Sequence, residues 1–424
     1  MGTGILQGII FGGILAFITV QIIVRIKATK VNGWITIFGC GLPGNSMWLR
    51  AACTRMFPGP VNVPQEAMYW RTRVDGAGHI LNGQHTYTLN FPPGGLPPND
   101  AFWSLTMGNA KNRFVPNPIN RYSISDRLAL VPNADGSVTI YIQNAVPAGH
   151  ESNWLPAPAG TFILWLRVYM PGAVILNGEY TVPPVVESEM PSQEKHKDLL
   201  TVGSIRVVVW TLGVCAFIYF MIPSMERNLL TVSSLMVVSW FLFIYFWPRL
   251  LLYAYKRAIL VQGFGEGPIP INTLYTESQT LFADPLHPPA SGSKLAVTGV
   301  NRDTLLTVGW LNLNKEPQIL YVPEMAGRYY SVQFTDPSNN TNFAYVGKRT
   351  TGTEAGVYLI TGPTWKGEIP DGIAQLSSPN NSVLVIGRVF VESDSDLPNA
   401  YALAKQLQLI PLSQWHLSQT WISR

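Results

Sequence analysis

Ser137-Val138-Thr139-Ile140-Tyr141-Ile142 places an apolar side chain at every second position, directly after Asn133-Ala134-Asp135-Gly136. Successive side chains of a strand point to opposite faces, so this alternation is that of a strand with one buried side. The quartet before it has the Asn, Asp and Gly of a tight turn. Strand and punctuation recur upstream, where Thr86-Tyr87-Thr88-Leu89-Asn90-Phe91 runs into Pro92-Pro93-Gly94-Gly95. Downstream, Phe162 to Tyr169 is apolar almost throughout, as in a sheet covered on both faces. Helical periodicity is weak from Tyr69 to Pro184, which predicts an antiparallel, jelly-roll-like β-sandwich.

The C-terminal part repeats this style. Ile319-Leu320-Tyr321-Val322, Tyr329 to Thr335, Val357 to Ile360 and Ser382 to Val391 are strand-like, each bounded by Gly, Pro, Asn or Asp. Leu397, Ala400, Leu403, Ala404 and Leu407 instead fit one helical face, which predicts an amphipathic helix over 397–409. A tail bearing Trp415 and Trp421 follows.

The two β-rich modules sit between stretches of another kind. Apolar residues make up 47% of the 424 positions and charged residues only 13%, about half the usual quarter for a soluble domain. Gly4–Val24, Val207–Met225 and Leu229–Trp247 are uncharged and long enough for the roughly 20 helical residues a bilayer demands. Only Glu226-Arg227-Asn228 separates the last two, which reads as a helical hairpin. Trp240, Phe241, Phe243, Tyr245, Phe246 and Trp247 suit an interfacial belt, with Pro248-Arg249 at the exit. The first span lacks the basic start and small-residue cleavage site of a signal peptide and reads as a retained anchor.

The expected organisation is therefore mainly β with transmembrane α. An anchor covers 1–30, a first sandwich 31–190, a linker and two-helix hairpin 191–255, and a second sandwich with its helix 256–424. Two spans between the modules place both on one side of the bilayer. Basic residues crowd that side (Arg25, Lys27, Lys30, Lys195, Lys197, Arg206, Arg249, Lys256, Arg257), which by the positive-inside rule favours the cytoplasm.

Chemistry-bearing motifs are sparse. The net charge is only +4 and no basic run is interleaved with aromatics, so nucleic acid is excluded as an expected partner. Three cysteines are no disulfide framework; Cys40 and Cys53 either pair across a short loop or are separate free thiols. His79 and His85 share an ion only if the chain turns at Leu81-Asn82-Gly83-Gln84, and no further ligand spacing supports them. No Gly-x-Ser-x-Gly elbow marks a nucleophile, and no metal or cofactor is expected. Gly263-Phe264-Gly265-Glu266-Gly267 reads as a neck after the membrane and Gly352-Thr353-Glu354-Ala355-Gly356 as a hairpin turn. Asn339-Asn340-Thr341 and Asn380-Asn381-Ser382 are glycan-acceptor patterns.

Longer strings carry a resemblance. Asp100-Ala101-Phe102-Trp103-Ser104-Leu105-Thr106-Met107, Asn117-Pro118-Ile119-Asn120-Arg121-Tyr122-Ser123-Ile124 and Asn153-Trp154-Leu155-Pro156-Ala157-Pro158 resemble the family called domain of unknown function 1214. Gly327-Arg328-Tyr329-Tyr330-Ser331-Val332-Gln333, Gly347-Lys348-Arg349-Thr350-Thr351-Gly352-Thr353 and Gly362-Pro363-Thr364-Trp365-Lys366-Gly367 resemble domain of unknown function 1254. The resemblance implies jelly-roll-like sandwiches outside the cytoplasm, with no established reaction. In soluble relatives the 1254-like module comes first, whereas here the order is reversed. On sidedness the resemblance opposes the charge bias, and the extracytoplasmic placement is favoured.

Two sets of residues are candidate binding sites. Arg328, Tyr330 and Asp336 combine a charge pair with a phenol, Tyr329 being sent to the opposite face. The plain structural reading is an Arg–Asp bridge at a sandwich edge. Asn117, Asn120, Arg121, Asn153 and Trp154 join amides to an aromatic ring, as in sugar contacts, although Asn beside Pro also satisfies turn backbone. The functional expectation is a membrane-anchored, non-enzymatic structural or interaction protein of an envelope-like assembly. Its expected partners are the bilayer, a second copy or another membrane protein, and carbohydrate. The alternatives are a hydrolase on an envelope carbohydrate or lipid-linked substrate, and an accessory subunit of a larger membrane complex.

Overall fold

The structure is a computed structural model that describes residues 2–188, 229–263, 267–278, 280 and 301–415. In the first module, a six-stranded sheet has the order β1-β2-β3-β9-β5-β6: Thr29–Val31, Trp34–Thr36, Ala67–Thr72, Phe162–Pro171, Asn99–Asn109 and Ser123–Ser125. Facing it is a four-stranded sheet of order β10-β4-β7-β8: Val185–Glu187, Tyr87–Phe91, Val138–Gln143 and Trp154–Pro156. Both sheets close on one core that includes Leu89, Phe91, Trp103, Ile140, Leu164 and Leu166. The alternation expected at 137–142 is present, with Val138, Ile140 and Ile142 buried and the residues between them half-buried. β9 is covered on both faces, as its continuous apolar run predicts. Phe162, Leu164, Leu166 and Val168 enter the core, while Ile163 and Trp165 pack behind the sheet.

The second module is built the same way. Its five-stranded sheet has the order β11-β12-β18-β14-β15: Leu274–Thr276, Thr304–Asn312, Ser382–Phe390, Tyr330–Asp336 and Thr341–Gly347. The four-stranded sheet is β17-β16-β13-β19: Ala374–Ser377, Gly356–Thr361, Gln318–Val322 and Gln408–Pro411. Replacing β3 through β10 by β12 through β19 converts the order β3-β9-β5-β6 into β12-β18-β14-β15, and β10-β4-β7-β8 into β19-β13-β16-β17. The two modules thus share one topology. Even the exception is shared, because β7–β8 and β16–β17 pair in parallel while every other ladder among the described residues is antiparallel. The sandwiches therefore depart from the fully antiparallel arrangement expected.

Helices fill the connections. α1 covers Gly2–Lys27, α2 Met47–Met56, α3 Ala173–Leu176, α4 Leu229–Arg257, α5 Lys348–Thr351 and α6 Leu397–Ala404. α6 is shorter than the helix expected over 397–409, since Gln408–Pro411 is drawn into the ladder with β13. Gly352–Gly356 is no hairpin turn, because β15 and β16 lie in different sheets.

Among the described residues two helices, α1 and α4, are long and apolar enough to cross a bilayer. The expected span Val207–Met225 lies outside the described residues, as does much of the expected linker. α4 does not end at Pro248-Arg249 but continues to Arg257, then as a π-helical turn over Ala258–Gln262. Proline lacks the N–H that would reach the Ile244 carbonyl; separately, the Arg249 guanidinium donates to the next carbonyl, that of Tyr245, at 2.6 Å. α1 and α4 run parallel: Gly8 lies against Leu235, Gly12 against Ser239, and Ala16 and Val20 against Ile244. Both modules consequently sit at the C-terminal ends of the pair. Gly8 and Gly12 lie one turn apart on the contact face, a spacing that lets helix backbones approach closely. Cys40 and Cys53 form a disulfide that ties α2 to the loop before it.

Candidate binding cavity between the modules

The shared topology brings equivalent residues face to face. The outer faces of the six-stranded and five-stranded sheets pack on one another through an aromatic cluster. Phe102 stacks on Tyr169 with centroids 4.3 Å apart and meets Phe390 at 4.5 Å and Tyr329 at 5.6 Å. In register, Phe102 pairs with Tyr169 across β5–β9, while the Phe390 amide donates to the Tyr329 carbonyl in the second module.

Buried carboxylates flank this cluster reciprocally. Glu66, immediately before β3, accepts the Tyr329 hydroxyl at 2.8 Å and the Arg349 Nε at 2.7 Å from the second module. Asp303, immediately before β12, accepts the Ser104 hydroxyl at 2.5 Å and the Arg127 guanidinium from the first. Arg127 lies two residues beyond β6 and Arg349 two residues beyond β15, so donors as well as acceptors occupy equivalent places. Each module supplies one carboxylate and one arginine. The exchange has the self-complementary pattern of a two-fold interface within a single chain.

Beside the cluster lies a cavity of about 170 Å³ lined by both modules and by Tyr255 and Ile259 at the end of the long helix. Its cations are Arg167 from β9 and Arg388 from β18. They too are equivalent, Arg167 facing Ser104 across β9–β5 and Arg388 facing Ser331 across β18–β14. Arg388 donates from one terminal nitrogen to Asn62 Oδ1 at 3.0 Å and Gln333 Oε1 at 2.9 Å, both neutral acceptors. Among the described residues Arg388 has no ion pair. Arg167 donates to Thr106 Oγ1 at 2.9 Å. Phe57, Trp165, Leu306 and Leu384 supply apolar walls, and no carboxylate is among the lining residues described. Burial pushes the Tyr69 and Tyr169 phenols above their ordinary value, more strongly than the nearby Arg388 pulls them back. They therefore stay neutral beside the guanidinium groups at physiological pH.

The residues nominated from sequence lie elsewhere. Arg328 pairs with Asp396, not Asp336, through both carboxylate oxygens, and also donates to the Phe390 carbonyl at 2.8 Å. Tyr330 faces the second core while Tyr329 faces the module interface, the opposite-face arrangement expected. Asp336 accepts the Ser338 amide at 2.8 Å, Asn339 Nδ2 at 2.8 Å and Asn380 Nδ2 at 2.6 Å. The amide nitrogens of both glycan-acceptor patterns are thus engaged. The second set does come together, around backbone. Arg121 donates to the carbonyls of Glu151, Ser152 and Trp154, and Asn117 brackets Arg121 from both sides. Asn153 donates to Val131 O and Thr139 O, the Trp154 indole donates to Gln143 O, and the Asn120 carbonyl accepts Arg302 from the second module. Sequence reasoning passed over Arg167 and Arg388. Their signal is a lone arginine within an otherwise apolar strand, Arg167-Val168-Tyr169 in one module and Arg388-Val389-Phe390 in the other.

Comparison with known families assigns both modules. Residues 66–173 match the family described as protein of unknown function (DUF1214), and residues 283–411 match protein of unknown function (DUF1254). Both are present, DUF1214 first. The VPA0106 protein from Vibrio parahaemolyticus is 29% identical over 34% of this chain and 36% of its own, with a TM-score of 0.30. This chain therefore spans about a third of that relative's length. An uncharacterized protein from Burkholderia cenocepacia is 12% identical, covering 94% of this chain and 85% of its own with a TM-score of 0.45. No curated protein matches the chain.

Proposed function

We propose that this is a membrane-anchored binding protein that holds a small organic anion with an apolar body in the cavity between its DUF1214 and DUF1254 modules. The observation that carries the proposal is Arg388, a guanidinium facing the cavity with neutral hydrogen-bond acceptors and no carboxylate partner among the described residues. A buried charge is costly unless it is paired, and a ligand carboxylate or phosphate ester would pair it bidentately. Apolar walls with a few convergent polar groups are the usual character of a small-ligand site. Membrane anchorage is supported by the outward faces of α1 and α4, where Leu6, Phe17, Ile18, Phe241 and Trp247 are exposed. In water such a contiguous apolar surface would be a liability.

This reading moves recognition away from the loops expected to contact sugar, whose amides serve the backbone, and into the module interface. A glycosidase needs two carboxylates facing the substrate, whereas the buried acids of the module interface, Glu66 and Asp303, are each bound to an arginine and do not line the cavity. The test is thermal stabilisation of the full chain in detergent by octanoate, benzoate and phenyl phosphate. A ligand at 100 times its Kd stabilises by about 2.7 kcal/mol. Arg388→Gln is expected to abolish the ligand-induced shift while leaving unliganded stability equal or higher. An unchanged shift in that variant, or no shift with any of the three anions in the wild type, refutes the assignment.

A further inference from the structure

The outer edge of the DUF1214 module carries a second cluster, across the core from the cavity. Its residues come from three chain segments. Asp75 and His79 lie in the loop after β3, which is closed by the Val74–Ile80 bridge and by the Asp75 amide donating to the His79 carbonyl at 2.8 Å. His85 stands two residues before β4, after the turn at residues 82–85 in which its amide donates to the Asn82 carbonyl at 3.0 Å. Glu187 ends the edge strand β10, in register with Tyr87. Gly76 holds the loop against that edge: its amide donates to the Val185 carbonyl at 2.8 Å, and a Cβ there would lie 2.7 Å from Pro184 Cβ.

We infer that Asp75, His79 and Glu187 form a site for a divalent transition-metal ion of the zinc type, with His85 orienting Glu187. One ligand atom of each of the three lies within 4.8 Å of the other two. His79 Nδ1 is 3.3 Å from Asp75 Oδ2, and His85 Nδ1 is 2.9 Å from Glu187 Oε1. Asp75 is buried and fixed, because its other oxygen accepts the amides of Ala77 and His79 at 2.9 and 2.8 Å. His79 and Glu187 are exposed, each held by a single side-chain partner, Asp75 and His85 respectively. Zinc binds imidazole nitrogen and carboxylate oxygen at about 2.0–2.2 Å, commonly with three protein ligands and an open fourth position. Small rotations of the two exposed side chains would bring the three atoms to that distance from one ion. Two carboxylates supply the charge that a divalent ion balances, and among the described residues neither has an ion pair to Lys or Arg. A second-sphere hydrogen bond like that between His85 and Glu187 orients a metal-binding carboxylate. The fold does not require this cluster. The equivalent edge strand β19, Gln408-Leu409-Ile410-Pro411, offers no histidine or acid.

Zinc titration of the metal-free, tag-free full chain in detergent, by calorimetry at pH 7.5, is the test. One saturable site per chain is expected, with nitrogen and oxygen ligation in the spectrum of the cobalt-substituted protein. His79→Ala should abolish it, and the exposed position leaves folding intact. His85→Ala should weaken it by about tenfold. No saturable uptake, or wild-type binding by His79→Ala, overturns the site; wild-type binding by His85→Ala overturns the role given to that residue.

Discussion

Glu66 and Asp303 show what single residues contribute to joining the modules. Removing one partner of a buried ion pair typically costs about 3–5 kcal/mol, since the charge left behind stays desolvated. Asp303→Ala strands Arg127, which packs over the rings of Phe102 and Phe390. It should lower the denaturation free energy by that order, and Arg127→Leu combined with Asp303→Leu should cost less than Asp303→Ala alone. Equal losses in chemical denaturation would mean that the pair is not a coupled unit. The Arg328–Asp396 bridge makes a smaller, pH-dependent contribution. Burial alone would raise the Asp396 carboxyl, but hydrogen bonds from Arg328 and the Glu392 amide hold it below its ordinary value. A depressed folded pKa gives stability that is complete above the ordinary carboxylate range and is lost as pH falls through the folded value. Asp396→Asn should therefore flatten the acid limb of the stability curve, by about 1 kcal/mol for a half-buried pair at the module edge. An acid limb identical to wild type would contradict that role. Such partnerships are hard to read in sequence. Arg328 and Asp336 are close along the chain, yet the acid that reaches the guanidinium is 68 positions away.

At the scale of elements, the strands were the most legible feature, because alternation is a local signal that burial then uses. Helix limits were less so. Pro248 marked an end that the packed helix overrides, and β13 captured the last residues of the helix expected over 397–409. The contact between α1 and α4 was written in Gly8 and Gly12, whose role appears only once the partner helix is in place. A Cβ on Gly12 would lie 1.9 Å from Ser239 Oγ and 2.6 Å from the Met236 carbonyl, and the carbonyl is backbone that cannot swing away. Gly12→Leu should therefore separate the helices, whereas Gly44→Ala, where a Cβ meets nothing within 4 Å, should be milder despite its positive φ. Cysteine crosslinking between positions 16 and 244, which share one packed cluster, is expected to fail only in Gly12→Leu; retained crosslinking would exclude close backbone contact as the basis of the pair.

For the whole molecule, the repeated style of strands and turns in the sequence is the outward sign of a repeated topology. The repeat itself was not legible, because equivalent positions hold different side chains: Ala67 matches Thr304, Tyr169 matches Phe390, and Glu66 matches Asp303. What persists is the chemistry at the contact, with an acid before one strand, an arginine beyond another and a ring on each central strand. A chain organised this way should behave as one cooperative unit, not as two beads on a tether. Cutting the connection at a protease site placed after Ser188 should leave both fragments co-eluting in detergent. The helix pair also holds them, so the decisive sample carries Glu66→Ala together with Asp303→Ala. If the reciprocal pairs dominate, the fragments of this variant should part after cutting while those of wild type stay together. Co-elution of the variant would assign cohesion to α1 and α4 instead, and with it the stability of the cavity that Arg167 and Arg388 line from opposite modules.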